Sequence, residues 1–202
     1  MKFFSILLLV FLLNCSSQQS INFQDGDIIF QTSKSNQSKA LQIATKSKYS
    51  HMGIIYNKNG QQYVYEAVQP VKLTKLNDWI ERGENSKFAV KRLKNASEIL
   101  SADTIQKLKI VGEKYLGKNY DLYFEWSDRR IYCSELVWKM YNEALGIQIG
   151  KLEKMKDFDL SNPMVQEKIK ERFGENIPVD EIVISPVSMY NSDLLTLVYS
   201  NY

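Results

Sequence analysis

A single histidine and two cysteines leave this 202-residue chain few ways to hold a metal ion or a disulfide framework. A zinc site built on one imidazole and one free thiol would have to rely on carboxylates, so neither a metal nor a cofactor is expected. Basic and acidic residues are nearly balanced, 26 against 23, and they are scattered. That excludes the basic patch or stripe that a nucleic-acid partner needs. Internal repeats, low-complexity tracts and a phosphate-cradling glycine loop are also missing. What remains is an ordinary hydrophobic fraction of 44% over a length suited to one folded domain, which excludes global disorder.

The chain opens on a short basic start and an apolar run that ends at Cys15. The run is too short to span a bilayer and reads as a secretory signal. Leu12-Leu13-Asn14-Cys15 resembles the lipobox of bacterial lipoproteins, in which the cysteine becomes the lipidated first residue of the mature chain. Asn14 departs from the usual small residue there, which leaves a plain signal peptide or a retained anchor as the alternative. The expected organisation is a signal over residues 1–14, a lipidated end and polar tether over 15–22, and one domain over 23–202. On this reading the protein sits in the cell envelope, held to a membrane by lipid on Cys15 and facing the periplasm. The lack of Asp after Cys15 favours the outer membrane of a diderm bacterium. With Cys15 taken by lipid, Cys133 is a free thiol in an oxidising compartment.

Cys133 begins the most ordered pattern in the chain. Leu136, Val137, Met140, Tyr141 and Ala144 follow at the spacing of one buried helical face, and Gly146 stands where a helix cap belongs. A thiol that opens a helix meets the positive end of the helix dipole and unpaired backbone N–H groups, which favour its thiolate form. The bland alternative is a small apolar residue on a buried face.

A partner for the thiol lies upstream. Residues 49–56 and 61–68 read as two strands joined through Asn57-Lys58-Asn59-Gly60. If Asn59-Gly60 alone makes the turn, Glu66 faces Gly53 and is diagonal to His51; if all four residues do, Glu66 faces His51 directly. Either register puts the pair on one face, roughly 4.5–8 Å apart at Cβ. A three-residue loop with a bulge would separate them. Together they supply a base and a carboxylate to orient it.

The remaining pattern predicts a strand at 28–31, a helix after Ser35 or Asn36, a helix over 74–82, a strand over 87–93 and a helix from Ser101 to about 116. Residues 118–126, including Tyr120, are aromatic without periodicity and suit either one wall of a substrate cleft, with Tyr132 beside it, or plain packing under a loop. Residues 151–159 read as a charged loop, Asn162-Pro163 as the start of a helix to about 173, and 182–186 and 194–199 as closing strands.

Asp25-Gly26-Asp27-Ile28-Ile29-Phe30, Ser50-His51-Met52-Gly53, Glu66-Ala67 and Tyr132-Cys133-Ser134-Glu135, in this order, resemble the YiiX/YaeF-type permuted papain-like amidases of the NlpC/P60 superfamily. Histidine precedes cysteine here, as a circular permutation of the papain order would produce. The resemblance implies an α+β, circularly permuted papain-like fold in which a small antiparallel barrel-like sheet packs against helices. It also implies catalysis by Cys133, His51 and Glu66 on an amide or ester, through an acyl-enzyme. Peptidoglycan-derived peptides and acylated small molecules are the expected substrates, and a monomer is expected. An idle envelope lipoprotein that binds peptide or lipid, or an acyltransferase, is the alternative.

Overall fold

The computed structural model describes residues 23–202; the expected signal, Cys15 and the tether lie outside the described residues. In chain order the elements are β1 (Ile28–Ser33), α1 (Asn36–Thr45), β2 (His51–Lys58), β3 (Gln61–Glu66), β4 (Lys72–Lys75) and α2 (Leu76–Arg82). They continue with β5 (Gly83–Leu93), α3 (Ala96–Ile99), α4 (Ala102–Glu113), α5 (Cys133–Leu145), β6 (Glu153–Lys154), α6 (Pro163–Phe173), β7 (Ile182–Val183), α7 (Pro186–Tyr190) and β8 (Leu195–Ser200). Six strands form one sheet in the order β4-β3-β2-β1-β5-β8, and every neighbouring pair is antiparallel. The fold is α+β, an antiparallel sheet packed against helices as the sequence motifs imply.

Both faces of the sheet are covered, so its central strands are apolar on both sides. Ile28, Phe30, Met52 and Ile54 point into the larger core with Leu108, Leu136, Val137 and Met140 from α4 and α5. Ile29, Ile55, Val64 and Val90 point the other way, onto Leu76 and Trp79 of α2. Asp27 is fully buried at the head of β1 and is held by Arg92, whose Nε and Nη2 reach its two oxygens at 2.6 and 2.7 Å. A buried carboxylate needs such a partner, since an unpaired charge there is costly.

The β2–β3 hairpin uses Asn59 and Gly60 alone as its turn, both at positive φ (52° and 76°), with Lys58 paired to Gln61. Continuing that register brings Glu66 across from Gly53 and diagonal to His51. Gly53 is required by close approach: a Cβ there would lie 2.5 Å from Val64 Cγ1 and 2.6 Å from the Tyr65 carbonyl.

Several boundaries differ from expectation. Thr74 and Lys75 belong to β4, because residues 72–75 pair with β3 before the helix begins. Residues 151–159 contain β6 and a 3-10 turn, and only Ile182–Val183 of the expected strand 182–186 pairs, with β6 in a separate two-stranded sheet. Ser185 instead caps α7, its Oγ accepting from the Ser188 N–H at 3.1 Å. A Ser-Pro pair serves the first turn of a helix as readily as the end of a strand, and the pairing of β7 decided which.

Gly53→Ala is expected to destabilise the domain by about 1–3 kcal/mol through overpacking against backbone. Urea unfolding of both proteins, read by tryptophan fluorescence, checks this.

Candidate active site

α5 begins at Cys133 after the extended Tyr132 and ends in the left-handed Gly146. The first-turn amides of a helix have no intrahelical acceptors, so the Cys133 N–H is free to point at a ligand. Glu135, in that same turn, accepts from the Tyr132 N–H at 3.4 Å and is bridged by Lys139 at 2.8 Å. Burial pushes the Glu135 carboxyl up, to about 8, against the opposing pull of Lys139. Cys133 is a free cysteine and is buried, 2% exposed.

His51 is the first residue of β2, on the sheet face that carries α2, where its ring stacks on Trp79 with centroids 5.8 Å apart and planes 25° apart. Its Nε2 lies 2.5 Å from Glu66 Oε2. The Cys133 thiol acts on the ring as well, and with Nε2 engaged by Glu66, Nδ1 is the nitrogen that can serve it. Burial draws the imidazole pKa down, but the hydrogen bonds to Cys133 and Glu66 outweigh it and raise the value from 6.5 to about 9.

Glu66 has no exposed side-chain surface. Besides His51, it accepts from Thr74 Oγ1 at 2.5 Å on Oε1 and from Arg82 Nη2 at 2.6 Å on both oxygens. Burial alone would raise its pKa; His51 and then Arg82 reverse that and lower it from 4.5 to about 2. Arg82, Thr74 and Trp79 were not singled out from the sequence. One signal was available: a glutamate on a buried strand needs more than one imidazole to hold its charge, and an arginine ends the adjacent helix.

Tyr120 and Tyr132 take different places. Tyr120 lines the cavity beside Cys133 and accepts from Gln37 Nε2 at 3.4 Å. Burial holds its phenol well above the ordinary value, so the hydroxyl keeps its proton. Tyr132 also lines that cavity, but its hydroxyl is engaged by the Ile184 N–H at 3.1 Å and the residue is only 2% exposed. The loop carrying Tyr120 is organised by buried Asp121, which accepts from the N–H groups of Tyr123 and Glu125 at 2.9 and 2.7 Å. A helix-opening thiol, an imidazole and a buried carboxylate in series form a set that can transfer a proton and attack a carbonyl.

Residues 22–199 match the permuted papain-like amidases of the YaeF/YiiX, C92 family. The chain belongs to that family, whose assignment supports a hydrolase. It is 51% identical over 175 residues to YiiX of Escherichia coli K12, covering 87% of this chain and 85% of YiiX. A crystal structure described as metalloprotein YiiX from Escherichia coli O157:H7 matches it with a TM-score of 0.85 at 51% identity, covering 89% of this chain and 98% of that one. Among the described residues here, no group of three or more His, Cys, Asp or Glu side chains could hold a metal ion. His51, the one histidine, already spends Nε2 on Glu66, so these residues do not fit a metal.

The two shifts set a pH window for stability. Glu66 titrates lower folded than unfolded, so its contribution is complete above about pH 4.5 and is lost as pH falls toward 2. His51 titrates higher folded than unfolded, so its contribution is complete below about 6.5 and is lost as pH rises through 9. The stability difference between the protein and its His51→Gln variant, from urea unfolding, should therefore plateau between those limits and shrink on either side. Arg82→Met should move the acid edge upward and, by loosening His51, lower turnover about 10- to 100-fold.

Proposed function

We propose that the protein is a cysteine hydrolase of the cell envelope that cleaves an amide or ester through Cys133, His51 and Glu66. The observation that carries this reading is the continuous buried series from the Cys133 thiol through His51 to a Glu66 carboxylate held by Arg82 and Thr74. A binding module would have no need to bury that charge. Cys133, as thiolate paired with protonated His51, adds to the carbonyl carbon; His51 then protonates the leaving group, and water resolves the thioester. The Cys133 N–H and the Tyr120 hydroxyl receive the oxyanion, since Gln37 donates to Tyr120 and leaves its proton free.

The walls beside the thiol favour an acylated substrate over a peptidoglycan peptide. Cys133 lines a cavity of about 110 Å³ whose other walls are largely apolar, with Leu41 and Ala44 from α1, Phe124, and Val165 and Ile169 from α6. A hydrocarbon chain gains from each methylene placed there, whereas a stem peptide, polar along its length, does not. The segment around α6, which matched no familiar motif in the sequence, supplies one whole side. Lipid on Cys15, in this proposal, keeps the site at a membrane where acylated compounds are found; Cys15→Ser should move the protein from the membrane to the soluble fraction.

Iodoacetamide should alkylate Cys133 rapidly near neutral pH, and His51→Ala should slow it by about 10-fold or more; equal rates would remove the proposed pairing. Cys133→Ser should keep the fold and abolish hydrolysis of acyl p-nitrophenyl esters. In the intact enzyme kcat/KM should rise with acyl length by up to about fourfold per methylene, and Ala44→Phe should flatten the rise while sparing the acetyl ester.

A further inference from the structure

Resting on the hydrolase reading, the other side of His51 narrows the substrate. A second cavity of about 410 Å³ opens there, lined by His51, Gln31, Ser50, Gln69, Arg82 and Tyr120 among others. Tyr120 and Gln37 line both cavities, so the thiol–imidazole pair sits between an apolar space on the cysteine side and a polar space on the histidine side.

The polar cavity has a definite electrostatic character. Two groups able to carry positive charge, His51 and Arg82, line it, and among its described lining residues there is no aspartate or glutamate. Arg82 commits Nη2 to Glu66, yet its side chain is 42% exposed and no acceptor among the described residues takes its remaining N–H groups. Gln31 is stranger. It lies directly across the β1–β2 ladder from His51 and is only 1% exposed, but among the described residues neither its Oε1 nor its Nε2 has a hydrogen-bond partner. The atom of this amide that an anionic ligand can complete is its Nε2 donor, since Oε1 faces Gly83 and can only accept. Its position is also built: a Cβ at Gly83 would lie 2.1 Å from Gln31 Oε1, so the glycine makes the space that this side chain fills.

We propose that this cavity receives the leaving group, and that the leaving group bears a carboxylate bound by Gln31 and the open edge of Arg82. The favoured substrate is then an N-acyl amino acid or similar acyl amide, its hydrocarbon beside Cys133 and its carboxylate beyond His51. The Cys133 thiolate adds to the amide carbon, the C–N bond breaks, and the amine departs with the proton from His51, its carboxylate still in the polar cavity. Water then cleaves the thioester, returning a proton to the thiolate–imidazole pair and releasing the acyl acid. Gln31 acts here as a specificity residue for the amine half.

Alkylation of Cys133 in the full chain by iodoacetate and by iodoacetamide, each rate divided by that of mercaptoethanol and read on the Cys133 peptide by mass spectrometry, tests the anion preference directly. The normalised ratio should exceed one by about tenfold, the scale of a charge-assisted hydrogen bond. It should fall at least threefold in Gln31→Leu and below one in Gln31→Glu. A wild-type ratio of one, or a ratio that neither variant moves, overturns the proposal. Gly83→Ala, which displaces the Gln31 amide without replacing it, should lower the ratio in the same direction and serves if a Gln31 variant fails to give the native circular dichroism spectrum. With substrates, N-octanoylglycine should be cleaved at least tenfold faster than N-octanoylglycinamide in kcat/KM, and the reverse order also overturns the proposal. Failure of the hydrolase reading appears separately, as a Cys133 alkylation rate indifferent to His51→Ala, whereas the iodoacetate ratio reports on the cavity in either case.

Discussion

Glu66 carries its charge with no side-chain surface in water, and much of the surrounding architecture answers that requirement. The carboxylate sits at the end of β3; its acceptor capacity is filled by an imidazole from β2, a hydroxyl from β4 and a guanidinium from the last turn of α2. Three elements are thereby tied to one group. Buried charge is tolerated only when partners and hydrogen bonds replace the lost water, and removing one partner leaves the rest uncompensated. The same bonds hold His51 in one orientation, with Nε2 toward the carboxylate. Stability and chemistry therefore depend on one set of contacts.

Two glycines make that set possible by what they omit. Gly53 lets the β2 and β3 strands approach beside the His51–Glu66 diagonal, where any Cβ would strike the Tyr65 carbonyl. Gly83, at the joint between α2 and β5, leaves room for the Gln31 side chain across from His51. Neither is at positive φ, so their role is one of volume and not of backbone freedom.

The site divides into unlike halves because different parts of the chain wall each side. On the cysteine side α1 and α6 face one another and contribute aliphatic residues. On the histidine side the walls are strand ends and the head of α1, rich in serine and glutamine, with Arg82 at the edge. The proposed substrate, with one apolar and one polar end, matches this division.

Local patterns made much of this legible. Cys133 with its apolar helix spacing, the Asn59-Gly60 turn and the alternation through His51 and Glu66 are short-range signals, and each resides in a few consecutive residues whose backbone preferences are strong. The hairpin was readable up to a choice of register, and the two-residue turn closed that choice in favour of the diagonal. The roles of Arg82 and Thr74 are not legible locally, because nothing marks a guanidinium or a hydroxyl as the partner of a carboxylate 16 or 8 residues away. Likewise Ser185-Pro186 suited a strand end and a helix start equally, and only the pairing of β7 with β6 settled it.

Local sequence specified the helix that presents Cys133, a hairpin through Asn57 to Gly60, and the family motifs in permuted order, since these rest on local propensity and spacing. Only the packing of distant segments put Glu66 on one face with His51, closed an apolar wall of α6 against α1, locked the carboxylate with Arg82, and left the Gln31 side chain across from His51 without a hydrogen-bond partner among the described residues. Those are meetings between segments distant in the chain, settled by how sheet and helices exclude water around a buried charge.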